Sequence, residues 1–159
     1  MPRSRALALA VLACLTLVFA PALADAQIKP PTMADRLAIA GELRNGVALA
    51  RQVIAMLGSG LESEGLKQAD VTSVKAYLMW NKAVAGVGHL EIRSKFPDPM
   101  LPHVTKIIND ARATISAAHT AIAGAASTEI GRPEQVARAI ELLNQSIHLA
   151  ERAALLISV

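Results

Sequence analysis

Apolar residues recur along this chain at alternating steps of three and four. Between residues 101 and 125 they fall at Leu101, Val104, Ile108, Ala111, Ile115, Ala118, Ile122 and Ala125 without a break, the spacing of a helix that buries one stripe. Asp98 stands where it can cap the first amides, and Pro99 stands where a missing N–H is harmless. The last part repeats the plan, with Pro133 near its start, a seam of Val136, Ile140, Leu143, Ile147, Ala150, Ala154 and Ile157, and Gly124 and Gly131 bracketing the turn before it. A third stripe follows the Pro30-Pro31 pair: Met33, Leu37, Ala40, Val47, Ala50, Ile54 and Leu57. Thr32 is its natural cap, Asp35 suits the positive end of the helix dipole, and Gly58 and Gly60 end it.

These patterns predict helices over about 33–57, 70–95, 99–125 and 133–157, with a looser connection, "GSGLESEGLKQAD", between the first two. Each spans about 25 residues, or roughly 37 Å. Equal lengths and short turns predict an all-α, up-down-up-down four-helix bundle over residues 33–159. His103 and His148 fall off the seams and should be exposed, whereas Ala111, Ile115 and Ile140 should be buried.

The first residues have another character. Arg3 and Arg5 precede an apolar run from Ala6 to Ala20, and Pro21 leads into Ala22-Leu23-Ala24, the layout of a cleaved signal peptide over residues 1–24. An extended segment, 25–32, then leads into the bundle. The expectation is export to the periplasm or the exterior, with no integral membrane segment after cleavage. Loss of Arg3 and Arg5 leaves 14 basic against 13 acidic residues, so the whole chain's charge of +3 falls to +1. The basic balance is thus no argument for a nucleic-acid partner. Cys14, the one cysteine, leaves with the leader, which excludes a disulfide, a thiol nucleophile and a cysteine metal site from the mature chain.

The second helix carries more apolar surface than one buried stripe needs. In "AYLMWNKAVAGVGHL", residues 76–90, only Asn81, Lys82 and His89 are distinctly polar. One explanation is a widened core contact made by Tyr77, Met79 and Trp80. The expectation favoured for function is an interface drawn from Tyr77, Met79, Trp80, Val84, Val87 and Leu90, meeting another exported protein or a second copy as a homodimer. A third is a small apolar-ligand pocket with Tyr77 and Trp80 as its walls. Gly86 and Gly88, two apart on a helix, point to different faces and cannot both serve one close contact.

The histidines supply the alternative from another class. His89, His103 and Met33 belong to one end of the bundle, where imidazole and thioether could hold copper, or haem, and make the protein a periplasmic carrier. No two histidines stand at i,i+3 or i,i+4, and each falls on a solvated position. The exported four-helix cytochromes share with this chain a signal peptide, four similar helices and an early methionine, Met33. The c-type members need a Cys-x-x-Cys-His attachment, which the mature chain lacks. The b-type members use a histidine near the end of the last helix, where this chain offers only His148, on the wrong face. The sequence is assigned to no family. With no Gly-x-Ser-x-Gly turn, no phosphate-cradling loop and no paired Glu-x-x-His motif, the expected function is non-enzymatic binding through the second helix, with no resident cofactor.

Overall fold

The structure, a computed structural model, describes residues 29–60 and 62–159. Among them there is no strand, and four helices carry the chain: α1 (Met33–Ser59), α2 (Ser63–Arg93), α3 (Met100–Ser127) and α4 (Arg132–Ile157). The predicted signal peptide lies outside the described residues. No helix among those described is long and apolar enough to cross a membrane.

Each helix packs on two others, α1 on α2 and α4, and α3 on α2 and α4. Gly46 of α1 faces Trp80 of α2, and Gly86 faces Ile39, so these two helices run antiparallel. The pairs Tyr77–Arg112 and Ser73–His119 give the same relation for α2 and α3. Arg51 and Glu151, 2.6 Å apart, tie α1 to α4.

All eight seam residues expected in α3 are buried. In α4 the seam holds except at Ile140, which is half-buried because Ala139 takes the inward position. The α1 stripe needs more correction. Ala40, Val47, Ala50 and Leu57 are buried, but Met33 and Leu37 are exposed, Ile54 is half-buried, and Leu43 and Val53 fill the core instead. The first turn of α1 is held at the rim by polar contacts, so its apolar residues have nothing inward to meet.

Helix α2 begins at Ser63, not near Asp70, and ends at Arg93, not Lys95. Its seam is Leu66, Ala69, Ser73, Ala76, Trp80, Ala83, Val87 and Leu90, all buried. The three-and-four alternation therefore extends back through Leu66 and Ala69 into the supposed connection, whose glycines and charges give it the look of a loop, and Ser73 takes one inward position. Ser73 is tolerated there because its hydroxyl donates to the Asp70 carbonyl at 2.6 Å, which satisfies a polar group that would otherwise be costly to bury.

Trp80 is the largest fully buried side chain. Its indole lies on the α1 backbone, where Gly46 leaves room, and Nε1 donates to the Leu43 carbonyl at 3.2 Å. Gly86 gives the close approach to Ile39, while Gly88 faces open space, so the two glycines do serve different faces. Between α3 and α4, Gly131 adopts a left-handed φ of 69°, which favours glycine. Arg132 then turns back to donate from Nε to the Ala125 carbonyl at 2.9 Å, neutralising the negative end of α3.

The end formed by the α2–α3 turn is pinned by two carboxylates. Thr32 and Asp35 make a full capping box, and Arg93 reaches Asp35 at 3.3 Å. Asp98 accepts from the Met100 N–H at 2.9 Å and from the Arg36 guanidinium, with Pro99 already helical behind it at φ −65°. The Arg36 hydrogen bond first, then the Met100 amide, holds the Asp98 carboxyl below its ordinary range. Asp35 is lowered chiefly by its bonds from the Thr32 backbone and hydroxyl. Carboxyls depressed in the folded state contribute stability that is present above the unfolded pKa, about 3.9, and lost as pH falls through the folded values. Thermal melts should therefore be flat from neutral pH to about 5 and decline below about 4. Asp98→Asn should lower the melting temperature at pH 7 and flatten that acid decline; an unchanged acid slope in the variant would remove Asp98 from the account.

Candidate functional site

The surplus apolar surface of α2 is divided by its rotation. Trp80, Val87 and Leu90, expected at an interface, lie on the buried seam and are unavailable to a partner. Tyr77, Met79 and Val84 are half-buried and pack against the core from its flanks. What faces outward is a different set: Val71, Val74 and Leu78, which are 55%, 38% and 47% exposed. Their steps of three and four place them in one stripe. Lys75 and Lys82 lie beside it, both exposed, and among the described residues neither makes an ion pair. No acidic residue occurs between positions 71 and 90, so this length of α2 is apolar and basic.

The stripe borders a cleft between α2 and α3 of about 160 Å³, lined by Ser73, Val74, Tyr77, Ile115, Ser116 and His119. His119 is gripped from α2, its Nδ1 2.7 Å from Asp70 Oδ1 and 3.3 Å from Ser73 Oγ. On the other side, Arg112 Nη2 donates to the Tyr77 hydroxyl at 3.0 Å, and the guanidinium carbon lies 5.2 Å from the ring centroid. This cation–π contact fixes the tyrosine ring as a wall.

An acid, an imidazole and a hydroxyl in one place invite comparison with a catalytic triad. The geometry is wrong for it. A triad uses both ring nitrogens, one for the acid and one for the nucleophile, whereas here carboxylate and hydroxyl meet the same Nδ1. Ser73 is also buried and already donates its proton within α2. The arrangement orients an imidazole and does not activate a nucleophile.

No family model, curated protein or solved structure matches the chain.

The residues of the metal reading, Met33, His89 and His103, are each exposed. Antiparallel packing puts them toward the same end of the helices, but among the described residues no group of three or more histidines, cysteines or acids could hold a metal ion. His148 is exposed as expected. Other exposed apolar side chains, Ile92, Phe96 and Met100, gather at the α2–α3 turn, where the charges of Arg36, Asp98, Arg93 and Asp35 are paired with one another. Sequence reasoning missed the Asp70–His119 pair because its members lie 49 residues apart on different helices. The one signal was Ser73, a polar residue in register with a buried seam.

Proposed function

We propose that this chain is an exported, up-down-up-down four-helix bundle with a non-enzymatic function, binding another exported protein of acidic surface through the outward face of α2. The observation that carries the reading is the exposed Val71–Val74–Leu78 stripe beside unpaired Lys75 and Lys82. An apolar stripe bordered by one sign of charge suits a partner whose apolar residues are flanked by acids. Two copies meeting through this face would set their lysines near one another, which disfavours a homodimer. The leader pattern of residues 1–24 supports export, and the order of helix packing supports the up-down-up-down path.

The test uses the native host, with the assembly separated by size under non-denaturing conditions. Leu78→Glu should release the chain from a larger assembly while changing its melting temperature little, because exposed positions lie within about 0.5 kcal/mol of neutral. The reversal Lys75→Glu with Lys82→Glu should do the same, and the wild-type assembly should weaken with salt. If wild type and both variants migrate alike as monomers, the face is only surface. A dimer of the purified protein that Leu78→Glu dissociates would assign the face to a second copy instead.

A further inference from the structure

The two ends of the four helices are unlike. At the end formed by the α2–α3 turn, Met33 opens α1, Ile92 lies on the last turn of α2, Phe96 stands in the connection and Met100 opens α3. All four are exposed, Ile92 by 74% and Phe96 by 80%. Among the described residues the opposite end shows one large exposed apolar side chain, Ile130. The exposure at the first end is held by the structure around it. Pro97 confines Phe96 to extended backbone, Asp98 is tied to Arg36 and to the Met100 amide, and Arg93 is tied to Asp35. A turn anchored on both sides keeps its phenylalanine turned away from the core.

Two observations bear on what covers this end. Its charges are matched among themselves, Arg36 with Asp98 and Arg93 with Asp35, and the exposed Glu91 and Lys95 add one charge of each sign. Matched charges suit a covering layer with no net charge, in contrast to the basic face of α2. The second observation is the order of the chain. Helix α1 begins here, so everything before Met33 joins the protein at this end. Twelve residues, 21–32, separate α1 from the apolar run Ala6 to Ala20, a reach of at most about 43 Å. A leader of that kind carries the chain to a bilayer, and the helix end that follows it closely is the apolar one.

We propose that this end of the protein docks on the surface of a phospholipid bilayer, with Phe96, Ile92, Met100 and Met33 entering the headgroup boundary and no helix crossing it. Four side chains without an acyl anchor make the attachment weak and reversible, at or below the strength of one myristoyl chain, about 10⁴ M⁻¹. The inference rests on the export part of the reading above and is independent of the outward face of α2.

The experiment is flotation of the exported protein with phosphatidylcholine vesicles, after its mass has shown that residues 1–24 are gone. Wild type should float at lipid concentrations on the order of 1 mM, and should do so equally at about 0.5 M salt, because the contact is apolar. Phe96→Asp and Ile92→Asp should each lower the partition constant about tenfold or more, with little change in melting temperature at such exposed positions. Ile130→Asp, at the opposite end, and Leu78→Glu should float as wild type does. The proposal is overturned if wild type stays unbound up to about 10 mM lipid, or if Phe96→Asp and Ile92→Asp float unchanged. Release by salt or by Leu78→Glu would move the contact to the face of α2 and overturn it too. A lipid-free dimer that Phe96→Asp dissociates would assign this end to a second copy instead. A retained leader would sink the export reading and this inference with it, a failure read from the mass alone.

Discussion

Trp80→Ala is expected to destabilise the protein by about 3–5 kcal/mol, read from the midpoint of urea unfolding. The indole is wholly buried, so its removal loses the transfer energy of a large side chain and leaves a cavity between α1 and α2. Collapse into that cavity is hindered because Gly46, directly opposite, has no side chain to move in. The Leu43 carbonyl also loses the indole donor at 3.2 Å. Since domains of this size are stable by only about 5–15 kcal/mol, the variant should be close to unfolding at physiological temperature. A loss below about 1 kcal/mol would mean that the indole is not the keystone of the α1–α2 contact.

Gly46→Ala should also destabilise, against the direction that helix propensity alone predicts. Alanine in a helix interior is favoured over glycine by about 1 kcal/mol. A Cβ at position 46, however, would lie 2.3 Å from Trp80 Nε1 and 2.7 Å from Cδ1, and a fully buried ring has nowhere to retreat. Overpacking of this kind costs about 1–3 kcal/mol, so the net effect is a loss of up to roughly 2 kcal/mol. The decisive comparison is the double-mutant cycle with Trp80→Leu. In that background the clash is absent and Gly46→Ala should become neutral or stabilising. The same sign in both backgrounds would refute the steric account.

How much of this was legible in the sequence differs from helix to helix. In α3 every inward position is apolar and every step is three or four, so the buried face could be read off directly. In α1 the same reasoning stepped from Ala40 to Val47 past Leu43, a fully buried leucine, and counted Met33 and Leu37, which lie in a turn governed by its cap and ion pairs. Apolar character says that a residue can be buried, not that there is something to bury it against. In α2 the start was set seven residues late, because "GSGLESEGLKQAD", with its three glycines and several charges, looks like a loop in a one-dimensional pattern although Leu66 and Ala69 continue the buried seam. The outward stripe was misassigned for a related reason. When most of a helix is apolar, periodicity cannot fix its rotation, and the partner helices choose which residues turn inward. The α2–α3 cleft was illegible altogether, since Asp70 with His119 and Tyr77 with Arg112 are pairings between helices.

The order in which the helices pack has a consequence in time. Three of the main pairings, α1 with α2, α2 with α3 and α3 with α4, join neighbours in the chain, and only α1 with α4 joins its extremes. The Arg51–Glu151 contact on that last seam closes a loop of 100 residues. Loop-closure entropy rises with separation, and chains rich in local contacts fold quickly. Assembly should therefore run as hairpins that form early and a final seam that shuts late. Core side chains held between α1 and α4 should be the first of the core to gain solvent in the native protein, because the α1–α4 seam can open while the three sequential pairings stay in place.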